Sequence, residues 1–430
     1  METLTYTQHG YQVHEHRLQV PLEHQKDGEM IELFAREIVP ANTKNPSDLP
    51  ALLFLQGGPG GAGPRVPDFG DGWIGAALKT HRVVLMDQRG TGRSTPLFAA
   101  NISGTPRQQA DYLALFLQEQ IIFDAEVLRE ALGVDRWMTL GQSYGGFLTL
   151  AYLSMFPDSV SHSLVTGGLP GLCPIDDIYN LTYPLTAARN QTYFDRYPAD
   201  EAMVRRIAAH LADFDERLPT GERLSAQRFR TIGGALGMQG GFDMLHYLLE
   251  DPFLSIAGEA RLSPKFLAEV GQRVSLASNP LYFVLQEAIY GPTSPDGTRW
   301  AAERLAENHA GFAMSDPQDM SEPWYLTGEH VFRCLFEEDP ALAPLLAATD
   351  FLAAQTTWPK VYDLDVLAEN QVPVAAAVYY DDMFVPRELS MQTAKTVSDV
   401  RTWVTSEYQH DGVRAGGTGV FDHLVKLVRD

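Results

Sequence analysis

The sequence predicts an α/β fold, in which a mostly parallel central sheet is flanked by helices. Short, continuous apolar runs occur at 51–55 and 82–86, and such runs are typical of strands that are covered on both faces. Strand and helix patterns alternate at both ends of the chain, as they do in α/β proteins. Residues 141–145 read Gly-Gln-Ser-Tyr-Gly between a strand pattern and an apolar helix pattern, which indicates a sharp strand-to-helix turn.

The other elements follow from the same patterns in chain order. A helical pattern covers 107–132 and ends at Gly133, since glycine is a common helix stop. Pro157 ends the apolar helix behind the sharp turn. Further strands are predicted at 13–20, 29–39, 136–140, 161–165, 372–380 and 401–406, and further helices at 387–397 and 420–428.

The stretch from about 171 to 357 differs from both ends, because its helical segments are separated by glycine and proline breaks. Helices are expected there at 201–214, 241–250 and 263–276. A chain of 430 residues exceeds what one compact core usually supports. We therefore predict a core domain formed by 1–170 and 358–430, interrupted by a mostly helical cap (a lid) at 171–357. Such a cap would cover the strand ends where open α/β folds bind ligands.

The composition restricts the partners and the location of the chain. Its formal net charge of -22 produces a field that repels nucleic acid and anionic membrane surfaces. The first residues lack the basic and apolar segments of a secretory signal, and no apolar stretch approaches the roughly 20 residues of a membrane span. Cys173 and Cys334 are far apart and lack metal-ligand spacing. We expect them to be buried, unpaired residues of a cytoplasmic protein.

Ser143, in the middle of residues 141–145, is the first candidate catalytic residue. A strand-to-helix turn would lift its hydroxyl above the sheet, where the hydroxyl can attack a carbonyl carbon. The flanking glycines fit, because such a turn is too crowded for side chains. Chance matches to this pentapeptide are common in a chain with 36 glycines, so a serine that merely occupies a tight turn is the alternative.

A glycine-rich loop at 56–64 follows the apolar strand 51–55 and fits two different functions. Its glycines satisfy the Gly-x-Gly-x-x-Gly spacing of dinucleotide sites, and Asp87 ends a strand further on. A nucleotide loop must open a helix immediately, however, and the prolines in and after this loop prevent one. We favour an oxyanion hole formed by the backbone N–H groups of Gly58 and Tyr144. A simple tight turn is the third alternative.

A nucleophilic serine needs a histidine base and an acid that orients it, and in this kind of fold the chain order is serine, acid, histidine. Asp382 and His410 lie in the loops directly after the last two predicted strands. His423 is a rival base, but it falls within the final helical pattern, where we expect a packed or exposed residue. Asp381 is a rival acid that we expect to be solvated or to support its neighbour.

No metal or organic cofactor is expected, because a serine, a histidine and an aspartate suffice for acyl transfer. His14 and His16 alternate along the first predicted strand. They lack a third ligand nearby, and zinc sites use at least three protein ligands. We therefore expect both histidines to lie on the surface.

Three segments carry a family resemblance: Gly-Gly-Pro-Gly at 57–60, Asp-Gln-Arg-Gly-Thr-Gly-Arg-Ser at 87–94 and Gly-Gln-Ser-Tyr-Gly-Gly at 141–146. They occur in this order and at similar spacing in proline iminopeptidases, also called prolyl aminopeptidases, which are serine peptidases of the α/β-hydrolase superfamily. The chain resembles the longer form of that family over essentially its whole length. The segment 87–94 is the most specific of the three, since the other two are more general hydrolase patterns.

The acid loop also resembles that of the family, because Asp382-Met383-x-x-Pro386 matches its pattern and favours Asp382 over Asp381. The chain departs from the family at two positions. Gln56 stands where the family often has histidine, and Tyr379 stands where the acid loop often begins with glycine. Neither departure removes a triad group, although both bear on substrate preference.

The resemblance implies an α/β-hydrolase fold and a serine aminopeptidase that releases N-terminal proline from short peptides with a free N-terminus. Family members bind the substrate amine with glutamates of the cap, and the most similar segments here contain Glu287 and Glu329. Either glutamate could instead be a solvated helix residue. A broad-specificity aminopeptidase, an esterase or amidase, and a non-catalytic binding protein on the same scaffold are the alternatives. The sequence leaves the oligomeric state open.

Overall fold

The central sheet is built from strands at both ends of the chain. The computed structural model describes residues 1–429. Its strands are β1 (Glu2–Gln8), β2 (Tyr11–Pro21), β3 (Met30–Pro40), β4 (Ala51–Leu55), β5 (Arg82–Asp87), β6 (Trp137–Gln142), β7 (Val160–Thr166), β8 (Phe253–Ile256), β9 (Glu259–Leu262), β10 (Val374–Tyr379) and β11 (Val400–Thr405). Nine of these strands form one sheet in the order β1-β2-β3-β5-β4-β6-β7-β10-β11, and β8 and β9 form a separate hairpin.

The two halves of the large sheet differ in strand direction. The neighbours from β1 to β5 pair antiparallel, whereas those from β5 to β11 pair parallel. Every residue of β4, β5, β6 and β10 is buried, because helices cover both faces of the parallel half. Leu53 and Val84 belong to one apolar core, and Leu52 and Val83 belong to the core on the opposite face. The predicted α/β fold is confirmed.

The helices are α1 (Gly72–Ala77), α2 (Pro106–Leu113), α3 (Gln118–Ala131), α4 (Tyr144–Met155), α5 (Ile175–Arg196), α6 (Pro198–Asp213), α7 (Ala226–Arg230), α8 (Gly241–Leu248), α9 (Pro264–Val274), α10 (Pro280–Leu285), α11 (Ala301–Ala306), α12 (Cys334–Glu338), α13 (Leu346–Ala353), α14 (Leu364–Ala368), α15 (Arg387–Thr396), α16 (Gly412–Ala415) and α17 (Gly417–Arg429). Two longer 3₁₀ segments occur at Thr231–Gly237 and Ala288–Thr293. Both lie between β7 and β10 in the chain.

The single helix predicted for 107–132 is wrong, because the structure divides it into α2 and α3. A 3₁₀ turn at Ala114–Phe116 separates them, and Leu117 is extended with φ of -111° and ψ of -173°. Both Phe116 and Leu117 are buried in the core. Tertiary packing of these two side chains therefore overrides the local preference for one continuous helix.

The chain leaves the sheet after β7 and returns to it at β10, and these two strands are adjacent and parallel. The connection between them contains α5 to α14 and the β8-β9 hairpin. The insertion is therefore mostly helical and starts and ends at neighbouring positions of the sheet. The proposed division into a core of 1–170 and 358–430 and a cap of 171–357 stays a prediction.

The structure contradicts the expectation for one of the two N-terminal histidines. His14 is half-buried, but His16 is buried, and its Nε2 lies 3.1 Å from a carboxylate oxygen of Glu37 on β3. The cause is the edge strand β1, which was not predicted because most of its residues are exposed. Thr3 of β1 pairs with His16, and its Oγ1 lies 2.9 Å from Nδ1 of the histidine.

Cys173 and Cys334 are free thiols, and both are half-buried rather than fully buried. Burial raises the pKa of each thiol, to about 12 for Cys334, so both remain protonated at neutral pH. Within residues 1–429, no helix is long and apolar enough to cross a membrane.

A buried ion pair attaches the loop after β5 to helix α3. The Arg89 guanidinium donates to both carboxylate oxygens of Asp124 at 2.7 and 2.6 Å, and both side chains are fully buried. It also donates to the carbonyl oxygens of Leu22 and Leu115 at 2.6 and 2.9 Å. Arg89 thus attaches the segment 87–94 to three other parts of the chain, at Leu22, Leu115 and Asp124.

Arg89→Met is expected to lower the free energy of unfolding by about 3–5 kcal/mol, because it leaves the buried Asp124 carboxylate with only the His24 imidazole, at 2.8 Å, as a side-chain partner. Urea denaturation followed by circular dichroism measures the change. Arg107→Met is the control, since its ion pair with Asp111 is exposed on both sides and should contribute less than about 1 kcal/mol. Equal stability of the two variants would contradict the assigned role of Arg89.

Candidate active site

Ser143 occupies a sharp turn between β6 and α4. Its backbone lies in a region that L residues rarely adopt, with φ of 56° and ψ of -124°. The Ser143 N–H donates to the Thr166 carbonyl at the end of β7 at 3.0 Å. A Cβ on Gly145 would lie 1.9 Å from the Leu55 carbonyl oxygen, so only glycine permits this close approach.

The structure brings Ser143, His410 and Asp382 together in a hydrogen-bonded row. The Ser143 Oγ lies 2.9 Å from His410 Nε2, and Asp382 Oδ2 lies 2.7 Å from His410 Nδ1. All three side chains are buried. Asp382 follows β10 and His410 follows β11, so the parallel strands deliver both residues to the edge of the sheet where β6 delivers Ser143.

Asp382 and His410 are each held in position by further hydrogen bonds. Asp382 Oδ1 accepts the backbone N–H groups of Phe384 and Val385 at 2.9 and 3.0 Å, which leaves Oδ2 directed at the imidazole. The His410 N–H donates to the Gly237 carbonyl at 3.0 Å. The acid and the base are therefore each positioned by their own backbone hydrogen bonds, independently of the contact between them.

Burial alone would lower the pKa of His410, but the charge and hydrogen bond of Asp382 oppose it. The negative charges of Glu329 and Asp411 act in the same direction as Asp382. The net result is a pKa of His410 above its ordinary value. The imidazole therefore accepts a proton readily, and Asp382 stabilises the imidazolium that results.

The two rival residues lie elsewhere. Asp381 is exposed, although it directly precedes Asp382. His423 is exposed on α17, where its ring stacks on Trp403 with 4.2 Å between ring centroids. Neither residue is hydrogen-bonded to His410 or Ser143 among the contacts of the described chain.

The glycine-rich loop after β4 lies directly against the serine turn. A Cβ on Gly57 would be 2.7 Å from the Gln142 carbonyl oxygen and 2.9 Å from the Ser143 Cβ. Gly58 has φ of 126°, a conformation that glycine adopts without steric cost. The loop is thus close enough to Ser143 for its backbone N–H groups to donate hydrogen bonds to an oxyanion. This is the role predicted for Gly58 and Tyr144.

The segment 87–94 holds this loop in place. Asp87 is fully buried, and its carboxylate accepts the backbone N–H groups of Gly63 and Arg93, each at 2.9 Å, together with the Arg65 guanidinium. The Gln88 amide donates to the Gln56 carbonyl at 2.7 Å. From the sequence this segment was only a family signature, and the structure supplies its physical role.

Glu329 lies beside the row of three residues. Its Oε1 accepts the Tyr282 hydroxyl at 2.6 Å, and the Gln286 amide lies 3.4 Å from Oε2. Burial raises the pKa of Glu329, and the nearby Asp382 charge raises it further, while His410 and Tyr282 act in the opposite direction. Glu329 is therefore an electrostatic neighbour of the candidate base.

Glu287 lies deeper in the helical insertion. One of its oxygens accepts the Ala302 N–H at 2.9 Å, whereas Oε2 is buried and has no hydrogen-bond partner within residues 1–429. Burial raises the pKa of Glu287 to about 7, and the Ala302 contact offsets part of that effect. The expected solvated alternative is excluded for this carboxylate, because only 7% of the residue is exposed.

Tyr179 lies close enough to both glutamates to be affected by their charges, and it was not predicted from the sequence. It is buried, and its hydroxyl has no hydrogen-bond partner in the described part of the chain. Burial first, and then the charges of Glu287 and Glu329, raise its pKa well above the ordinary value. Tyr282 and Tyr290 were missed as well. Tyrosines on separate helices give no spacing signal, so only the folded chain brings them together.

The chain is similar to several known proteins. The alpha/beta hydrolase fold family matches residues 50–229. A proline iminopeptidase of Aeromonas sobria is 42% identical over 435 residues, which cover 99% of each protein. The proline iminopeptidase aneH of Aspergillus aculeatus is 31% identical over 97% of this chain and 93% of its own. A crystal structure of proline iminopeptidase from Mycobacterium smegmatis covers 96% of this chain at 15% identity and a TM-score of 0.44.

A fluorophosphonate probe is expected to label Ser143 covalently, because His410 is positioned to take the hydroxyl proton. The labelling rate should fall as pH drops through the raised pKa of His410, above the ordinary value of about 6.5, since the protonated imidazole cannot act as a base. Mass spectrometry of the labelled peptide and the rate constant between pH 5 and 9 provide the measurement.

Asp382→Asn should slow this labelling by roughly 10⁴-fold, because the amide favours the wrong imidazole tautomer. Asp381→Asn is the matched control and should label within twofold of the unmodified chain, as its side chain is exposed. Labelling of Ser143→Ala at the same rate, or equal loss in both aspartate variants, would contradict the assignment.

Proposed function

Because the chain belongs to the proline iminopeptidase family, we propose that it is a serine aminopeptidase that releases N-terminal proline from short peptides or amides. The observation that carries the proposal is the hydrogen-bonded row of Ser143, His410 and Asp382 next to the half-buried carboxylate of Glu329. The row supports acyl transfer, and the carboxylate supports recognition of an unblocked amine.

The proposed reaction begins when His410 Nε2 takes the proton of the Ser143 hydroxyl. The Ser143 Oγ attacks the carbonyl carbon of the N-terminal residue, and Asp382 stabilises the imidazolium. His410 then gives its proton to the leaving amine, and the peptide bond breaks. Water, deprotonated by His410, then attacks the acyl carbon, and the bond from that carbon to Ser143 Oγ breaks. His410 returns the proton to Oγ, and free proline is released. Every proton in this sequence passes through His410, whose position is fixed on both sides.

The oxyanion that forms during each attack needs preorganised donors. We assign them to the backbone N–H groups of Gly58 and Tyr144, since the glycine loop contacts the serine turn and Tyr144 is the first residue of α4. The start of this 12-residue helix also carries the positive end of the helix dipole. One such donor contributes about 3 kcal/mol to transition-state stabilisation.

The substrate amine is proposed to bind between Glu329 and Glu287. A secondary ammonium has two N–H donors, and the buried Oε2 of Glu287 lacks a donor among residues 1–429. An acylated amine carries no charge and would leave both carboxylates without a cation, which costs free energy because both are at least half-buried. The arrangement therefore favours an aminopeptidase over an endopeptidase.

An esterase or amidase on the same fold is the second candidate. It would share the triad but would have no use for buried carboxylates beside an uncharged acyl group. The burial of Glu287 and the position of Glu329 therefore favour the peptidase. A cytoplasmic location, predicted from the sequence, is part of this proposal.

The unmodified protein is expected to hydrolyse a prolyl arylamide, and to hydrolyse the N-acetylprolyl arylamide at least about 100-fold more slowly. The acetyl group removes the positive charge with which the carboxylates pair. Release of the arylamine measured by absorbance tests this. A simple nitrophenyl ester serves as the comparison, and faster turnover of the ester than of the prolyl arylamide would favour the esterase. Ser143→Ala should be inactive on all three.

Glu329→Gln is expected to raise KM for the prolyl arylamide roughly tenfold, because a hydrogen bond to a charged group contributes about 1.5–3 kcal/mol. It should also move the acid limb of the kcat/KM profile to lower pH, since the Glu329 charge helps to raise the pKa of His410. Glu307→Gln is the control for loss of one charge, because Glu307 is exposed on the same insertion. An unchanged KM would contradict the role of Glu329.

Glu287→Gln is expected to raise KM without moving the acid limb of the kcat profile, because Glu287 acts on binding of the amine and not on His410. In the unmodified protein, KM should fall as pH rises through about 7, because Glu287 has a raised pKa of about 7 and becomes an anion there. The variant should lose this fall in KM. Steady-state kinetics between pH 6 and 8 separate the two glutamates, and a variant that keeps the wild-type pH dependence of KM would remove Glu287 from the amine site.

A further inference from the structure

A cavity of about 400 Å³ lies beside the candidate active site, between the 3₁₀ segment Thr231–Gly237 and helices α9 and α10. Its wall includes Phe384, whose ring packs against His410 with 4.9 Å between ring centroids. Its wall also includes Asn279, whose Oδ1 would be 2.7 Å from a Cβ on Gly60 of the glycine loop. The cavity therefore adjoins both the base and the oxyanion loop.

Most of the lining is apolar. The apolar side chains include Ile232, Met238, Met244, Val274, Leu276 and Phe283, in addition to Phe384. Methionine side chains are flexible and adapt to partners of different shape. A volume of this size falls within the range of about 300–1,000 Å³ for small-ligand pockets. The cavity thus suits apolar side chains of varied shape.

Two ionic groups of opposite sign also line this cavity, Glu329 and Arg273. Arg273 is exposed, and its Nη1 donates to the Glu269 carbonyl of the same helix at 2.7 Å. Its other donors face no carboxylate within ion-pair distance in the part of the chain that the structure describes.

We propose that this cavity holds the leaving part of the substrate and that Arg273 binds the C-terminal carboxylate of a peptide that extends one or two residues beyond its N-terminal proline. The inference rests on the proposed function. The ammonium would lie at the Glu329 side and the carboxylate at the Arg273 side, so that a short zwitterionic peptide matches both charges. A guanidinium is suited to this task, because its parallel N–H groups fit a carboxylate.

The test compares kcat/KM for Pro-Leu and Pro-Leu-Leu with that for their C-terminal amides, and prolyl 2-naphthylamide serves as a substrate without a carboxylate. The unmodified protein should prefer the free acid of at least one peptide by about threefold to fivefold, the range for a partly exposed ion pair. Because salt screens such a pair, the preference should shrink in 0.5 M NaCl. Arg273→Gln should abolish it and change the amide and naphthylamide values less than twofold.

Lys265→Gln is the matched control, because Lys265 is an exposed cation on the same helix and does not line this cavity. It should keep the preference for the free acid. Equal kcat/KM for acids and amides in the unmodified protein would overturn the inference alone. An equal loss on all substrates in Arg273→Gln would also overturn it, since that result indicates only a stabilising role at the end of α9. Absence of turnover of the naphthylamide would overturn the proposed function, and this inference with it.

Discussion

The crowded turn at Ser143 is the constraint on which the rest of the site depends. A Cβ on Gly146 would lie 2.1 Å from the Gly168 carbonyl oxygen, just as one on Gly145 would clash with β4. Helix α4 can therefore approach the ends of both β4 and β7 only because Gly145 and Gly146 in its first turn lack side chains. The strained backbone of Ser143 costs about 1–3 kcal/mol, and the surrounding packing of the fully buried first two turns of α4 offsets that cost.

The parallel half of the sheet turns this local constraint into a complete site. Because β4, β6, β7, β10 and β11 run in the same direction, their carboxyl ends meet at one edge. The glycine loop, Ser143, Asp382 and His410 each follow one of these strands. The long helical insertion also leaves from this edge, after β7, and therefore supplies Glu329 and Tyr282 to the same place without disturbing the order of the strands.

Structural features that depend on residues close together in the chain could be predicted from the sequence. Features that depend on contacts between distant segments could not. The apolar runs that became β4 and β5, the glycines around Ser143 and the loops carrying Asp382 and His410 are all local. The break at Leu117 and the burial of His16 depend on packing by other segments, so no periodicity revealed them. Glu287 and Glu329 were found only through family resemblance, because an isolated glutamate in a helical segment looks like a surface residue.

The same carboxylate links substrate recognition to basicity in the proposed mechanism. The charges that raise the pKa of His410 include that of Glu329 as well as that of Asp382. An ammonium bound to Glu329 would neutralise part of this field, so His410 would give up a proton to the leaving amine more easily once substrate is present. Glu287 accepts the Ala302 N–H, and the charges of Glu287 and Glu329 both raise the pKa of Tyr179. In the proposed mechanism Glu287 would contribute only to binding of the amine, whereas Glu329 would affect both that binding and the basicity of His410.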